Sequence, residues 1–205
     1  SDLRRQRQMC IRDRGSLEGN VVSVFVGAGG TLGKCSESRL EFAFDGIVGD
    51  RHRGLTRKAW ELTDKQPGGT ERRNERQWSA VAQEDLDQVS EALSLNAPLS
   101  AGDVAVNLSI SGVADFPRLP RGTTLVFEGG VVLMVEEYNP PCARMSRHLS
   151  ETLTTASGDP LAEDAFIAAS KFSRGLVGVV EVPGFVSPGE RVTVHLERLP
   201  KWLRS

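Results

Sequence analysis

Cysteine is scarce in this chain, standing only at positions 10, 35 and 142. The third lies in "VEEYNPPCARMSRHL" (135–149), where a strand-like run ends in Asn-Pro-Pro and the thiol is followed by Arg144, Arg147 and His148. Pro140 and Pro141 stop the strand and fix the direction of the backbone. A helix whose first turn holds Cys142 sets the sulfur against unpaired N–H groups and the positive end of the helix dipole. With Arg144 close by, such surroundings favour the thiolate, the form that acts as nucleophile or metal ligand. His148 lies six residues on, somewhat off that helical face. The competing reading is a small buried hydrophobe, which is what most free cysteines are, and local chemistry alone favours it.

A second cluster sits in "GIVGDRHRG" (46–54), where Asp50, Arg51, His52 and Arg53 are packed between glycines. Glycines let backbone N–H groups approach a ligand, and the basic side chains could hold phosphate or another anion. A solvated charged turn explains the same residues, and on local grounds it is the stronger explanation. Cys35, in a glycine-rich loop, reads as incidental, with a lesser reading as a second thiol that reacts with the first. "GAGGTLG" (27–33) lacks the Gly-x-Gly-x-x-Gly spacing of a dinucleotide loop and no helix pattern follows it. His195 alternates within a strand and reads as structural. Asn107 is a polar residue in an apolar strand pattern, so burial would oblige it to find backbone or ligand partners.

These residues must be carried by regular elements. Alternating or β-branched runs predict strands at 20–27, 39–44, 77–81, 103–110, 123–127, 131–138, 175–182 and 190–197. "EGG" between the fifth and sixth is a hairpin turn. Leu86, Val89 and Leu93 recur at helical spacing within 82–93, and Glu84 and Asp85 occupy the first turn, where the dipole favours acids. Helices are also expected at 142–153 and 160–172. Residues 55–75 are polar and patternless, which predicts a mobile segment, or one ordered only by a ligand or partner. Many short strands, few helices and no repeated βαβ rhythm give a mainly β fold, antiparallel and barrel-like.

The 205 residues suffice for one domain with a real core. Hydrophobic residues make up 39% and charged residues 25%, ordinary values for a globular protein. No apolar run reaches membrane-spanning length, and a net charge of −2 supplies no basic field for nucleic acid, so neither partner is expected. The first fourteen residues, "SDLRRQRQMCIRDR", hold five arginines and no apolar periodicity. They read as a non-native or disordered leader. Without them the net charge is −5. Two remaining cysteines without close spacing make neither a disulfide scaffold nor a tetrahedral zinc site, which points to a reducing cytoplasm.

Taken in order and spacing, "GIVGDRHRG", "RQWSAVAQEDL", "GDVAVNLSI", "GTTLVF", "YNPPCARM" and "RGLVGVVEVPGFVSPGERVTV" resemble the MOSC domain, named for the C-terminal domain of molybdenum cofactor sulfurases. The resemblance runs from about Leu17 to Leu199 and implies a single domain of the standalone bacterial kind with a β-barrel core. It further implies that Cys142 carries sulfur or ligates the molybdenum of a pterin cofactor. Asp50, Arg51, His52, Asn107, Arg144 and Arg174 are the matching cofactor-binding candidates. Two departures stand out. Val106 occupies the place of a glutamate common before Asn-Leu, and "PGGTERRNERQ" lacks the His-Gly-Gly stretch of many standalone members. The chain has no pyridoxal-phosphate desulfurase domain. Three functions follow: a molybdenum-dependent reductase of N-hydroxylated or similar small molecules fed by an electron-donor protein; a metal-free sulfur carrier, or carbon–sulfur-cleaving enzyme, served by a sulfur donor; or a non-catalytic module that binds or delivers the cofactor.

Overall fold

The computed structural model describes residues 16–197. The expected leader at 1–14 and the last residues of the expected domain, 198 and 199, lie outside this range. The first strand, β1 (Ser16–Val26), is followed by β2 (Cys35–Glu37), β3 (Leu40–Ala43), β4 (Gly46–Ile47), β5 (Thr56–Lys58), β6 (Glu71–Arg73) and β7 (Trp78–Ala82). Helix α1 (Gln83–Ala92) leads to β8 (Leu108–Ser111), β9 (Thr124–Phe127) and β10 (Val132–Tyr138). Then come α2 (Ala143–Thr152), the single-turn α3 (Ala165–Ala169), β11 (Leu176–Val182), β12 (Gly184–Val186) and β13 (Arg191–His195).

Seven strands close a barrel in the order β13-β9-β10-β11-β7-β8-β1, sealed by pairing of β1 with β13. β1 can serve both neighbours because it is long and bulged between Val21 and Ser23, pairing with β13 over Ser16–Asn20 and with β8 over Asn20–Val24. The fold is therefore mainly β, as the strand pattern implied. One pair departs from the antiparallel expectation: β7 and β8 run parallel. Parallel neighbours need a long crossover, and residues 83–107, with α1, supply it. A three-stranded sheet (β12-β3-β4) and the β5–β6 hairpin lie outside the barrel.

Side-chain alternation along β7 divides two cores. Trp78, Ala80 and Ala82 point into the barrel with Val24, Leu108, Leu125, Leu133 and Val194. Val81 points outward, where Leu86 and Val89 of α1, Met145 and Leu149 of α2 and Phe166 of α3 cover it. β7 is thus buried on both faces, with Ser79 its one polar residue.

Three sequence expectations need correction. Residues 103–107 are turn rather than strand, with Ala105 at a φ of 57° and Asp103 accepting hydrogen bonds from the Ser100 amide and hydroxyl. The apolar alternation there is real, but Val104 and Val106 enter the helical core and only Leu108 and Ile110 enter the barrel. The helix foreseen at 160–172 is confined to α3. Residues 55–75, expected to be mobile, hold the β5–β6 hairpin. Its charges only look patternless in sequence. Arg57 pairs with Asp64 at 2.7 Å and with Glu75, Arg72 pairs with Asp64 and with Glu75, and Asp64 also accepts the Trp60 amide at 2.7 Å.

Candidate functional site

The strand registers bring particular ends together. Leu108 lies opposite Val24 of β1 and, in parallel, opposite Ala80 of β7; Leu176 lies opposite Ala80 and Tyr138. The end of β1, the middle of β7, the starts of β8 and β11 and the end of β10 therefore converge around Ala80. Gly175 makes the approach feasible. Its φ is 80°, and a Cβ there would stand 1.9 Å from the Ala80 carbonyl oxygen.

A cavity of about 460 Å³ opens beside this convergence. Cys142 lines it as the N-cap of α2, exposed and with no capping hydrogen bond from its side chain. Arg144 and Met145 follow it into the lining; Arg147 does not, and pairs instead with Glu163 at 3.5 Å. Arg51, His52, Ser79 and Asn107 also line it. Arg174 and Arg76 enter beside Asn139. The lining contains four arginines and no carboxylate.

Asp50 stands behind His52 and Asn107, 6% exposed. Its Oδ2 accepts from the Gly27 amide (3.0 Å), Lys34 Nζ (2.7 Å) and Asn107 Nδ2 (2.8 Å), and its Oδ1 from the His52 amide (2.9 Å). His52 Nδ1 lies 3.1 Å from Oδ1, and that network assigns its proton to Nδ1. Burial pushes the Asp50 carboxyl up, but the bonds from His52 and the Lys34 charge outweigh it and hold the acid ionised, well below the ordinary carboxylate range. Burial pushes Lys34 down to about 8 against the pull of Asp50, so the pair stays charged at neutral pH. Asn107 is saturated by the protein. Its Oδ1 accepts from the Ser79 amide and hydroxyl, and its Nδ2 donates to Phe25 O as well as to Asp50.

Of the residues singled out in the sequence, Arg51, His52, Asn107, Cys142, Arg144 and Arg174 thus meet in one cavity, and Asp50 braces it from behind. Arg51 spends donors on the Thr31, Leu32 and Gly33 carbonyls, which pins the glycine-rich loop into the wall. That loop lacks the spacing of a dinucleotide motif, yet Gly29, Gly30, Thr31 and Leu32 line the cavity. Cys35 does not line it. Asn139, which also lines the cavity, sits within "YNPPC", where its side chain alone gives no sign of a role. Trp60 and Arg76 carried no local signal; the hairpin delivers them, with the Arg57 and Arg76 guanidinium carbons 4.3 and 5.4 Å from the Trp60 ring centre.

Comparison with known proteins places this geometry. The MOSC domain model matches residues 62–193. YuaD of Bacillus subtilis, whose provisional description is metal-sulfur cluster biosynthesis, is 33% identical over 159 residues, covering 77% of this chain and 80% of YuaD. The chain belongs to the MOSC domain family. The crystal structure of YuaD superposes on this MOSC protein with a TM-score of 0.82 at 26% identity, over 89% of this chain and 98% of that one. YiiM from Geobacillus stearothermophilus shares the fold, with a TM-score of 0.57 at 16% identity, over 88% and 76%. The MOSC match takes in Asn107, Asn139, Cys142 and Arg174 and begins after the Asp50 cluster. Among the described residues no helix is long and apolar enough to cross a membrane.

Proposed function

We propose that the cavity binds a molybdenum-bearing pterin cofactor through Cys142 and reduces small N-hydroxylated or similarly oxidised substrates, with electrons from a donor protein. One observation carries this reading: a reachable thiol at the mouth of a cavity whose other charged side chains are all cationic. The donor set fits such a group. No cluster of three His, Cys, Asp or Glu that could hold a bare metal ion occurs among the described residues. One soft thiolate suits a metal whose remaining ligands arrive with an anionic organic group. When bound, the cofactor supplies the two-electron chemistry. Cys142 would ligate the metal, and Arg144 and Arg51 would attract the anionic portions. His52 Nε2, left as acceptor by the Asp50 contact, would orient a donor on the pterin or the substrate. The Trp60 and Trp78 rings would exclude water from part of the site.

The exposure of Cys142 also favours a second reading, in which the thiol carries a persulfide to a partner; the metal-sulfur description of YuaD is compatible with it. Both readings divide on one preparation. Protein from a host that synthesises the cofactor should hold stoichiometric molybdenum by elemental analysis. Cys142→Ala should lose it while keeping the wild-type circular dichroism. Wild-type protein free of molybdenum but carrying a persulfide at Cys142 in intact-mass analysis would replace the first reading with the second.

A further inference from the structure

Arg174 is 8% exposed and forms no ion pair with a carboxylate among the described residues. Its Nη1 donates to Asn139 Oδ1 (3.1 Å) and the Pro140 carbonyl (2.9 Å), and its Nη2 to the Val104 carbonyl (3.0 Å). Its Nε is buried and has no hydrogen-bond acceptor in the protein. Arg76 converges on the same atom, donating to Asn139 Oδ1 at 2.6 Å. Its nearest carboxylate, Glu137, lies 3.9 Å away and is half exposed. Two guanidinium groups, that of Arg174 buried and that of Arg76 partly exposed, thus face one neutral amide oxygen. A dipole cannot neutralise two like charges, and an uncompensated buried charge costs several kcal/mol. The Pro140 carbonyl that Arg174 holds lies two residues before Cys142, and Arg174 and Cys142 line the same cavity, so the thiol shares it with the unmet charge.

We propose that Arg76 and Arg174 form an oxyanion-binding subsite beside Cys142, with Asn139 as the residue that positions both guanidinium groups. The ligand class is a carboxylate, sulfonate or phosphate group, because the planar N–H fork of arginine matches two oxygens at once. Seated there, such a group would complete the charge balance and lie next to the sulfur. The proposal rests on this cavity being the ligand site, but not on molybdenum. Two sources share the chemistry: a phosphate belonging to the bound cofactor, or a free anion such as an oxyanionic substrate.

Cys142 and Cys35, both exposed, allow a test with an internal control. Apo-protein is alkylated with iodoacetate and separately with iodoacetamide, and the Cys142 and Cys35 peptides are quantified by mass spectrometry. The preference for the carboxylate reagent should be about tenfold larger at Cys142 than at Cys35, the size expected of one charge-assisted contact. At constant ionic strength set with chloride, sulfate and phosphate should suppress labelling of Cys142 saturably and leave Cys35 unchanged. Arg76→Gln and Arg174→Gln should each reduce the preference. Should Arg174→Gln fail to fold, Arg76→Gln and the wild-type titration decide. Equal preference at both cysteines, or protection by sulfate no better than by chloride, overturns the subsite. In cofactor-loaded protein, loss of thermal stabilisation by sulfate assigns the subsite to the cofactor's phosphate, and its retention assigns it to a free anion. A chain that never acquires molybdenum but shows the sulfate-sensitive preference sinks the cofactor reading and leaves the subsite standing. Molybdenum retention without the preference does the reverse.

Discussion

Asp50 gathers four donors from separate parts of the chain, Gly27, Lys34, His52 and Asn107. Replacing it with asparagine leaves Lys34 charged and buried against a neutral amide. Removing one partner of a buried ion pair costs about 3–5 kcal/mol, so Asp50→Asn should lower the unfolding free energy by that order in urea titrations at pH 7. A loss under 1 kcal/mol would show that the pair contributes little. The carboxyl lies below its ordinary value of 3.8 in the fold. Its stabilisation is therefore complete above that value and declines as pH falls beneath it, because only the unfolded chain takes up the proton readily. At this scale the sequence was informative where chemistry is concentrated within a few residues, as in "GDRH" and "NPPC". It was silent on Lys34, whose partner is sixteen residues away and whose loop reads as glycine-rich linker. Asn107 drew notice as a buried polar group, but only the fold shows its amide fully used by Ser79, Phe25 and Asp50.

The elements that carry the site are unevenly legible in the sequence, and for identifiable reasons. α1 and α2 were found within a residue of their ends because each has an apolar stripe at helical spacing, and the proline pair fixes where α2 begins. The β5–β6 hairpin was missed because it is held by charges rather than by apolar alternation. Asp64 is its clasp, accepting from Arg57, Arg72 and the Trp60 amide. Asp64→Ala removes those acceptors and leaves Glu75 alone to neutralise two arginines. Loss of such a charge-assisted cluster costs about 1.5–3 kcal/mol of local stability, which raises the open population of the segment by about ten- to hundredfold. Limited proteolysis should therefore cleave within residues 58–71 faster by that factor, with little change in global Tm. Unchanged cleavage would mean that the β5–β6 ladder alone holds the hairpin. The same opening would carry Trp60 away from the cavity and uncouple it from Arg76, which stays anchored to Asn139.

At the scale of the whole molecule, β7 joins two cores, and the helical layer exacts one electrostatic cost. Asp85 lies in the first turn of α1, where the dipole gains about 0.5 kcal/mol from an acid. Yet its Oδ2 is buried with no hydrogen-bond partner. Burial, with Glu84 and Asp115 adding to it, pushes the carboxyl up from 3.8 to about 6. A group whose folded pKa is raised supports the fold fully below its unfolded value and withdraws that support as pH rises through the folded one. Stability should thus climb out of strong acid as Asp50 ionises, then fall between about pH 4 and pH 6 as Asp85 is forced to ionise in place. Asp85→Asn keeps the shape and removes the charge. It forfeits the dipole gain but escapes a larger penalty, so the variant should be more stable than wild type at pH 7 by up to about 2 kcal/mol. At pH 4 the two proteins should be nearly equal. Urea unfolding at both values measures the difference directly. A variant weaker than wild type at pH 7 would mean that the helix dipole outweighs burial at this position.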